Sequence, residues 1–379
     1  MRFEEAPFLP VWERGRGLIG TGAKTPGRGI YSKMTKSLQK IISSAVGISL
    51  AVMVSGCDAP KPRMGCLPTS TAGSRFLNPY NLGAHSYNYR NIFFEKNGIV
   101  YTCRAGHIDI THVRWAADYT RYLVKKTYKT LMNNRSGFSF KSPLERSKQI
   151  VQFDYPRYWK NQPQKSRERI AREISLELGP YLAYTALTWH EILTWFGVHF
   201  AGIEPEFNSA FSWEDSFSNL LGTRLAVKAL QDTRHSYDEA MTLAINRELE
   251  ELGVQPRNVA IAAAEKMRGK WFKGNILVDT KKRNLDIGLD GYVTPTLIPD
   301  LQECEIAWPF SYPVPKPELY IYEFSMKYEI EPREWEKGKI LKVVYPDGRG
   351  KKIYPEKHFP EIMDYIKRQA IEKGYDFDD

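Results

Sequence analysis

Three short runs carry residue types that can do chemistry. The first is His107-Ile108-Asp109-Ile110-Thr111-His112. Asp109 and His112 are three apart, so on a helix they share a face. An Asp beside a His suits metal ligation, or an imidazole held in one tautomer by its carboxylate. The second run is Trp189-His190-Glu191-Ile192-Leu193-Thr194-Trp195, within the most apolar helical stretch of the chain. A charged Glu there is costly unless paired or coordinated. The third is Asp215-Ser216-Phe217-Ser218-Asn219-Leu220-Leu221-Gly222. If the three segments pack together, Asp109, His112, His190, Glu191 and Asp215 converge on one site.

The His190-Glu191 pair resembles the H-E-x-x-H helix of zinc peptidases, where two His bind zinc and the Glu activates water. Thr194 stands where the second His would be. The third run resembles the Glu-x-x-Ser-Asp helix of the thermolysin-like (gluzincin) peptidases. Asp215 stands at the ligand Glu, Asn219 at the orienting Asp, and Ser218 and Gly222 match directly. The resemblance implies a degenerate, metal-dependent hydrolase-like site with zinc as its ion. Glu191 would be the general base. His190, His112 and Asp215 would be ligands, with His112 supplying the imidazole that position 194 lacks. Asp109 and Asn219 would orient them.

The same residues admit a structural reading. Ser212 and Asp215 have capping-box spacing. Asp109 suits the first turn of a helix. His190 and Glu191 can pair with Arg114 or Arg224 in a buried network. Thr194 can bond back to the carbonyl of residue 190. No G-x-S-x-G elbow, P-loop or G-x-G-x-x-G is present.

These segments sit in a chain with an export signal. Residues 34–56 hold Met34, a short positive region with Lys36 and Lys40, and an apolar stretch from Ile41 to Val54. That stretch is short for a spanning helix, which needs about 20 apolar residues, and has the length of a signal core. Val54-Ser55-Gly56-Cys57 resembles the bacterial lipobox. Cys57 is thus expected to be lipidated and to hold the chain on a cell membrane, facing periplasm or exterior. Asp58 resembles the inner-membrane retention signal of enteric-type bacteria. Residues 1–33 read as an artefactual leader before the true start at Met34. From Cys57 onward there are 323 residues with a net charge of +5. That modest balance does not ask for nucleic acid. Peptidoglycan or an envelope protein are the expected partners. Cys66, Cys103 and Cys304 allow one disulfide in that oxidising compartment, with the pairing open.

Residues 57–75, rich in Pro and small polar residues, read as a lipidated tether. Periodicity predicts a strand at 98–103 and helices at 108–132, 166–178, 181–196, 213–230, 237–252, 256–267 and 359–373. Gly179-Pro180 is expected to break the second helix from the third. Strands are expected at 319–330 and 340–345. The expected fold is α+β: a mainly helical body (76–308) with short strands, then a Pro-rich link and a small C-terminal α/β appendix (309–379).

Four segments together carry a family resemblance: GIVYTCRAGHIDITHVR (98–114), WHEILTWFG (189–197), EDSFSNLLG (214–222) and EIEPREWEKGKIL (329–341). Through them the chain resembles a bacterial family labelled domain of unknown function 4056. The label implies no reaction. Two functions therefore stand as expectations. One is an anchored metal-dependent hydrolase acting on peptide or peptidoglycan bonds. The other is a non-catalytic envelope lipoprotein that binds a protein or glycan.

Overall fold

The structure, a computed structural model, describes residues 59–87, 94–142, 145–197, 209–275, 278–305 and 308–378. Cys57, Asp58, the signal segment and the leader lie outside these residues. The fold is α+β with a mainly helical body. None of the described helices is long and apolar enough to cross a membrane.

The chain enters a hairpin, β1 (Ile99–Thr102) and β2 (Gly106–Asp109), in antiparallel register with Ile99 opposite Asp109. Gly106, with φ of +63°, makes the turn that L-residues resist. Asp109 ends β2 and caps α1 (Ile110–Met132), accepting from the Thr111 amide at 2.8 Å. That bond satisfies one of the helix's free N–H groups. After a second hairpin, β3 (Gly137–Phe140) and β4 (Lys148–Asp154), comes α2 (Gln164–Trp195). Then follow α3 (Asp215–Gln231) and α4 (Tyr237–Glu251), the latter with a full capping box from Ser236 and Glu239. Strand β5 (Val254–Gln255) returns to β1, and α5 (Arg257–Lys266) lies beyond it.

Helix α2 is continuous through Gly179-Pro180, where a break was expected. A Pro inside a helix costs about 3 kcal/mol. Packing offsets this. Gly179 presents bare backbone to α1, and a Cβ there would sit 3.2 Å from the Thr120 carbonyl and run into Val124. Gly222 does the same for α3. Its absent Cβ would meet the Val113 carbonyl and lie 2.8 Å from the Ala116 methyl. Two glycines thus let α2 and α3 close on either side of α1.

Residues 271–303 form the short strands and turns expected of them, with β6 (Lys282–Asn284) the longest. The C-terminal segment departs from expectation twice. Residues 319–322 form a 3₁₀ turn, and the strand β7 starts only at Ser325 and runs to Glu331. Residues 337–344 form helix α6 (Lys337–Val344) rather than a strand. Ile340 and Val344 are its buried residues, and their four-residue spacing is a helix face. Such a short apolar run carries too little periodicity to decide the matter. Helix α7 (Pro355–Glu372) closes the chain.

This segment docks into the body. Strand β7 pairs along its whole length with β4, giving the sheet order β7-β4-β3. Ile362, Met363 and Ile366 of α7 join the core that α1 and α2 build with that sheet. A second core fills the space between the β1–β2 hairpin, α3 and α4. The functional residues lie where α1, α2 and α3 meet.

Residues 59–75 do not hang free. Lys61 and Arg63 are buried, and the segment lies against the body as a strap. Arg63 donates to Asp118 Oδ2 at 2.5 Å and to Glu95 Oε1 at 2.8 Å, and Lys61 pairs with Glu95 at 2.9 Å. His85 Nε2 lies 2.9 Å from the other oxygen of Asp118. These contacts pin the strap to α1. Cys103 pairs with Cys304 and leaves Cys66 free.

Candidate functional site

The helix contacts place the first turn of α1, the last turns of α2 and the start of α3 around one pocket of about 260 Å³. His112 and Trp115 line it from α1, and His190, Glu191 and Thr194 from α2. Ser209, Ser212 and Asp215 complete the far side. Residues 63–67 of the strap form the remaining wall. The expected convergence is therefore real for His112, His190, Glu191 and Asp215. Asp109 stands directly behind His112.

His112 Nδ1 lies between two carboxylates, 2.8 Å from Asp109 Oδ2 and 3.5 Å from Asp215 Oδ1. Burial alone would lower its pKa. The Asp215 and Asp109 charges outweigh that and raise it to about 10. The imidazole is therefore held as a cation. Asp109 is itself fixed from three directions. Its side chain caps α1, its Oδ2 accepts the Cys66 amide at 2.9 Å, and its own amide donates to Ser218 Oγ at 3.0 Å. Ser218 thus ties α3 to the β2–α1 junction.

Asp215 Oδ2 accepts both the amide and the hydroxyl of Ser212, each at 2.9 Å. Burial, then the Glu191 charge, push its pKa up to about 7, against the pull of His112. Its neighbour Glu214 is raised well above the ordinary range by burial and by the Asp215 and Asp109 charges. Glu191 Oε2 accepts the Phe211 amide at 2.9 Å.

His190 turns Nδ1 toward Glu145 Oε1 at 3.1 Å, and burial raises the Glu145 pKa. Its ring packs edge-on against Trp115, centroids 5.6 Å apart. The Trp115 indole N–H has no hydrogen-bond partner among the described residues, although the side chain is buried. Buried donors are nearly always satisfied, so this orphan on a pocket-lining residue is unusual.

Several expectations are corrected. Thr194 does bond back to the His190 carbonyl, at 2.9 Å. Arg114 and Arg224, however, serve other groups. Arg114 donates to the Leu82 and Gly83 carbonyls, and Arg224 lies over the Tyr312 ring. Asn219 is buried but does not line the pocket, and its Oδ1 has no partner among the described residues. It orients none of the pocket residues here. His107 faces away, between Tyr101 and Trp213, with Nε2 3.1 Å from the Ala260 carbonyl. Burial lowers its pKa to about 4, so it is a neutral core residue.

Zinc was the ion expected for His190, His112 and Asp215. Among the described residues, no group of three or more His, Cys, Asp and Glu side chains is arranged to hold a metal ion. Nδ1 of each imidazole faces a carboxylate, an outer-shell arrangement that by itself is compatible with ligation through Nε2, and Asp215 Oδ2 and Glu191 Oε2 accept from amides and a hydroxyl. His190, His112 and Asp215 line one pocket but are not gathered as a ligand set for zinc.

The strap residues, Trp115, Ser212 and Glu145 are absent from the expected site. Ser212 alone had a signal, its capping-box spacing to Asp215. The free Cys66 lines the pocket, but burial and the Asp109 charge push its thiol up to about 11, which disfavours a nucleophilic thiolate.

No curated protein and no solved structure matches the chain. A family model described as "Protein of unknown function (DUF4056)" matches residues 43–291. That span includes every pocket residue, and the 329–341 segment expected to carry part of the resemblance lies outside it. The chain belongs to this family.

Proposed function

We propose that the chain is a lipid-anchored protein of the cell envelope whose pocket performs acid–base hydrolysis on a small polar group. Glu191 is the general base, directed at a substrate water. Asp215 is the proton-holding partner, and its pKa near 7 lets it give up or take a proton at the pH of the compartment. His112 is a fixed cation beside them, held by Asp109, and it stabilises negative charge that develops on the substrate. Trp115 offers an N–H to a substrate acceptor.

One observation carries this reading. Titratable side chains from three segments spread over more than 100 residues line one pocket, and two of them have displaced pKa values. A merely structural network has no need of the pocket. Anchoring rests on the lipobox-like sequence at Cys57.

The test is turnover. Wild-type and Glu191→Gln chains are incubated with peptidoglycan fragments and with whole envelope extracts, and the products are read by mass spectrometry. A species consumed by the wild type and spared by Glu191→Gln supports the reading. Identical profiles overturn it and leave the non-catalytic binding role.

A further inference from the structure

We propose that the pocket acts on a molecule carried by the same membrane that holds the chain, namely a lipid headgroup or a lipid-linked polar group. This deepens the reading above and rests on the lipid at Cys57.

The strap carries the argument. An ordinary lipoprotein tether is a solvated linker that lets the body roam. Here the chain is locked to the body from Lys61 onward, because Lys61 and Arg63 sit in a buried ion cluster with Glu95 and Asp118. Both side chains are almost fully enclosed, Arg63 being 5% exposed. Freeing Arg63 would strand buried carboxylates without their counter-charge. Only residues 58–60 separate Cys57 from Lys61. Four residue steps span at most about 14 Å. The body therefore rests against the bilayer rather than swinging above it.

The same strap then becomes a wall of the pocket. Gly65 lies against the His112 ring, so closely that a Cβ would sit 3.0 Å from Nε2 and 3.2 Å from Asp109 Oδ2. The next amide, that of Cys66, holds Asp109. From Cys57 to Gly65 is eight steps, at most about 28 Å even if extended. A globular unit of this size has a radius of gyration of about 20 Å, and so a diameter near 50 Å. The strap wall of the pocket thus stays within little more than half that diameter of the bilayer. At its rim Met64 is 76% exposed, a large apolar side chain left to face outward.

The experiment uses the lipidated full chain in vesicles of phosphatidylethanolamine and phosphatidylglycerol. Intact mass first establishes the lipid on Cys57; a bare cysteine defeats the anchoring reading, and this proposal with it. A fluorescent donor is placed at Met64→Cys in a Cys66→Ser background, and the vesicles carry a headgroup acceptor. Efficient transfer is expected. It should fall at least two-fold when 20 Gly/Ser residues are inserted between Asp58 and Ala59. A lipidated chain with no transfer, or with transfer unchanged by the insertion, overturns the proposal and leaves the anchoring and the acid–base reading intact. In the second arm the vesicle-bound chain meets either the lipid extract or the water-soluble extract of envelopes, with Glu191→Gln as the blank. Turnover confined to the lipid extract supports the proposal. Turnover confined to the water-soluble extract overturns it, and turnover of neither overturns the acid–base reading as well.

Discussion

Asp109 Oδ2 lies 2.8 Å from His112 Nδ1 and at the same time accepts the Cys66 amide at 2.9 Å. One carboxylate oxygen thus couples the pocket's imidazole to the backbone of the N-terminal strap. The strap and the site are expected to respond to each other's mutations.

Gly65→Ala tests that coupling. The added methyl meets the His112 ring and the Asp109 carboxylate, which hold each other as an ion pair. A cost of about 1–3 kcal/mol is expected from such overpacking. Gly338→Ala is the control. It lies in α6 with nothing within 4 Å of the new Cβ, and it should be neutral or stabilising by up to about 1 kcal/mol. Urea melts of both variants decide the matter; equal stabilities would contradict the close approach at Gly65.

Arg63→Met should destabilise the chain by about 3–5 kcal/mol, because it leaves Asp118 and Glu95 with less buried compensation. Arg63→Lys should lie between, since an ammonium cannot fork to both carboxylates as the guanidinium does. A strap released from the body would show as new proteolysis between residues 61 and 67. A stable, protease-resistant Arg63→Met chain would contradict the ion cluster.

Stability should fall toward alkaline pH. Burial and Glu191 raise the Asp215 pKa from 3.8 to about 7, so its protonated form is favoured by folding. Its contribution is complete below pH 3.8 and lost as pH rises through 7. The His112 pKa rises from 6.5 to about 10, since its carboxylate partners outweigh burial. Its contribution is complete below pH 6.5 and lost as pH rises through 10. The two groups touch, so they titrate as a pair. Asp215→Asn should flatten Tm between pH 4 and 7. A slope unchanged by that substitution would contradict the assignment.

Reduction of Cys103–Cys304 should also be costly. The bridge closes a span of 201 residues, and chain entropy alone gives it about 5 kcal/mol. Denaturant midpoints with and without reductant measure it. Unchanged midpoints would mean that the bridge does not form.

Much of the site is readable in the sequence because it lies on strongly patterned helices. The apolar run around His190 and Glu191 marks a buried helix, and charged residues inside one demand an explanation. The three-residue spacing of Asp109 and His112 gives their shared face. The strap is not readable. Residues 59–67 have the composition of a linker, and what packs them is ion pairing with Glu95 and Asp118, which leaves no periodic trace. The ligand set fails for a related reason. Spacing brings His190, His112 and Asp215 into one pocket, but side-chain direction is set by partners such as Glu145 and Ser212 that no motif contains. Pro180 misleads because the helix contact at Gly179 outweighs a local rule. Ile340–Tyr345 misleads because six apolar-rich residues suit a strand and a short helix equally well.

The most direct test of the coupled pocket is the titration of the His112 imidazole by nitrogen-15 NMR, in the wild type and in Asp215→Asn and Glu191→Gln. The expected wild-type pKa is near 10, with a clear fall in both variants, although the altered residues are 103 and 79 positions away in the chain. An imidazole that titrates near 6.5 and ignores both substitutions would show that the three side chains do not form one site.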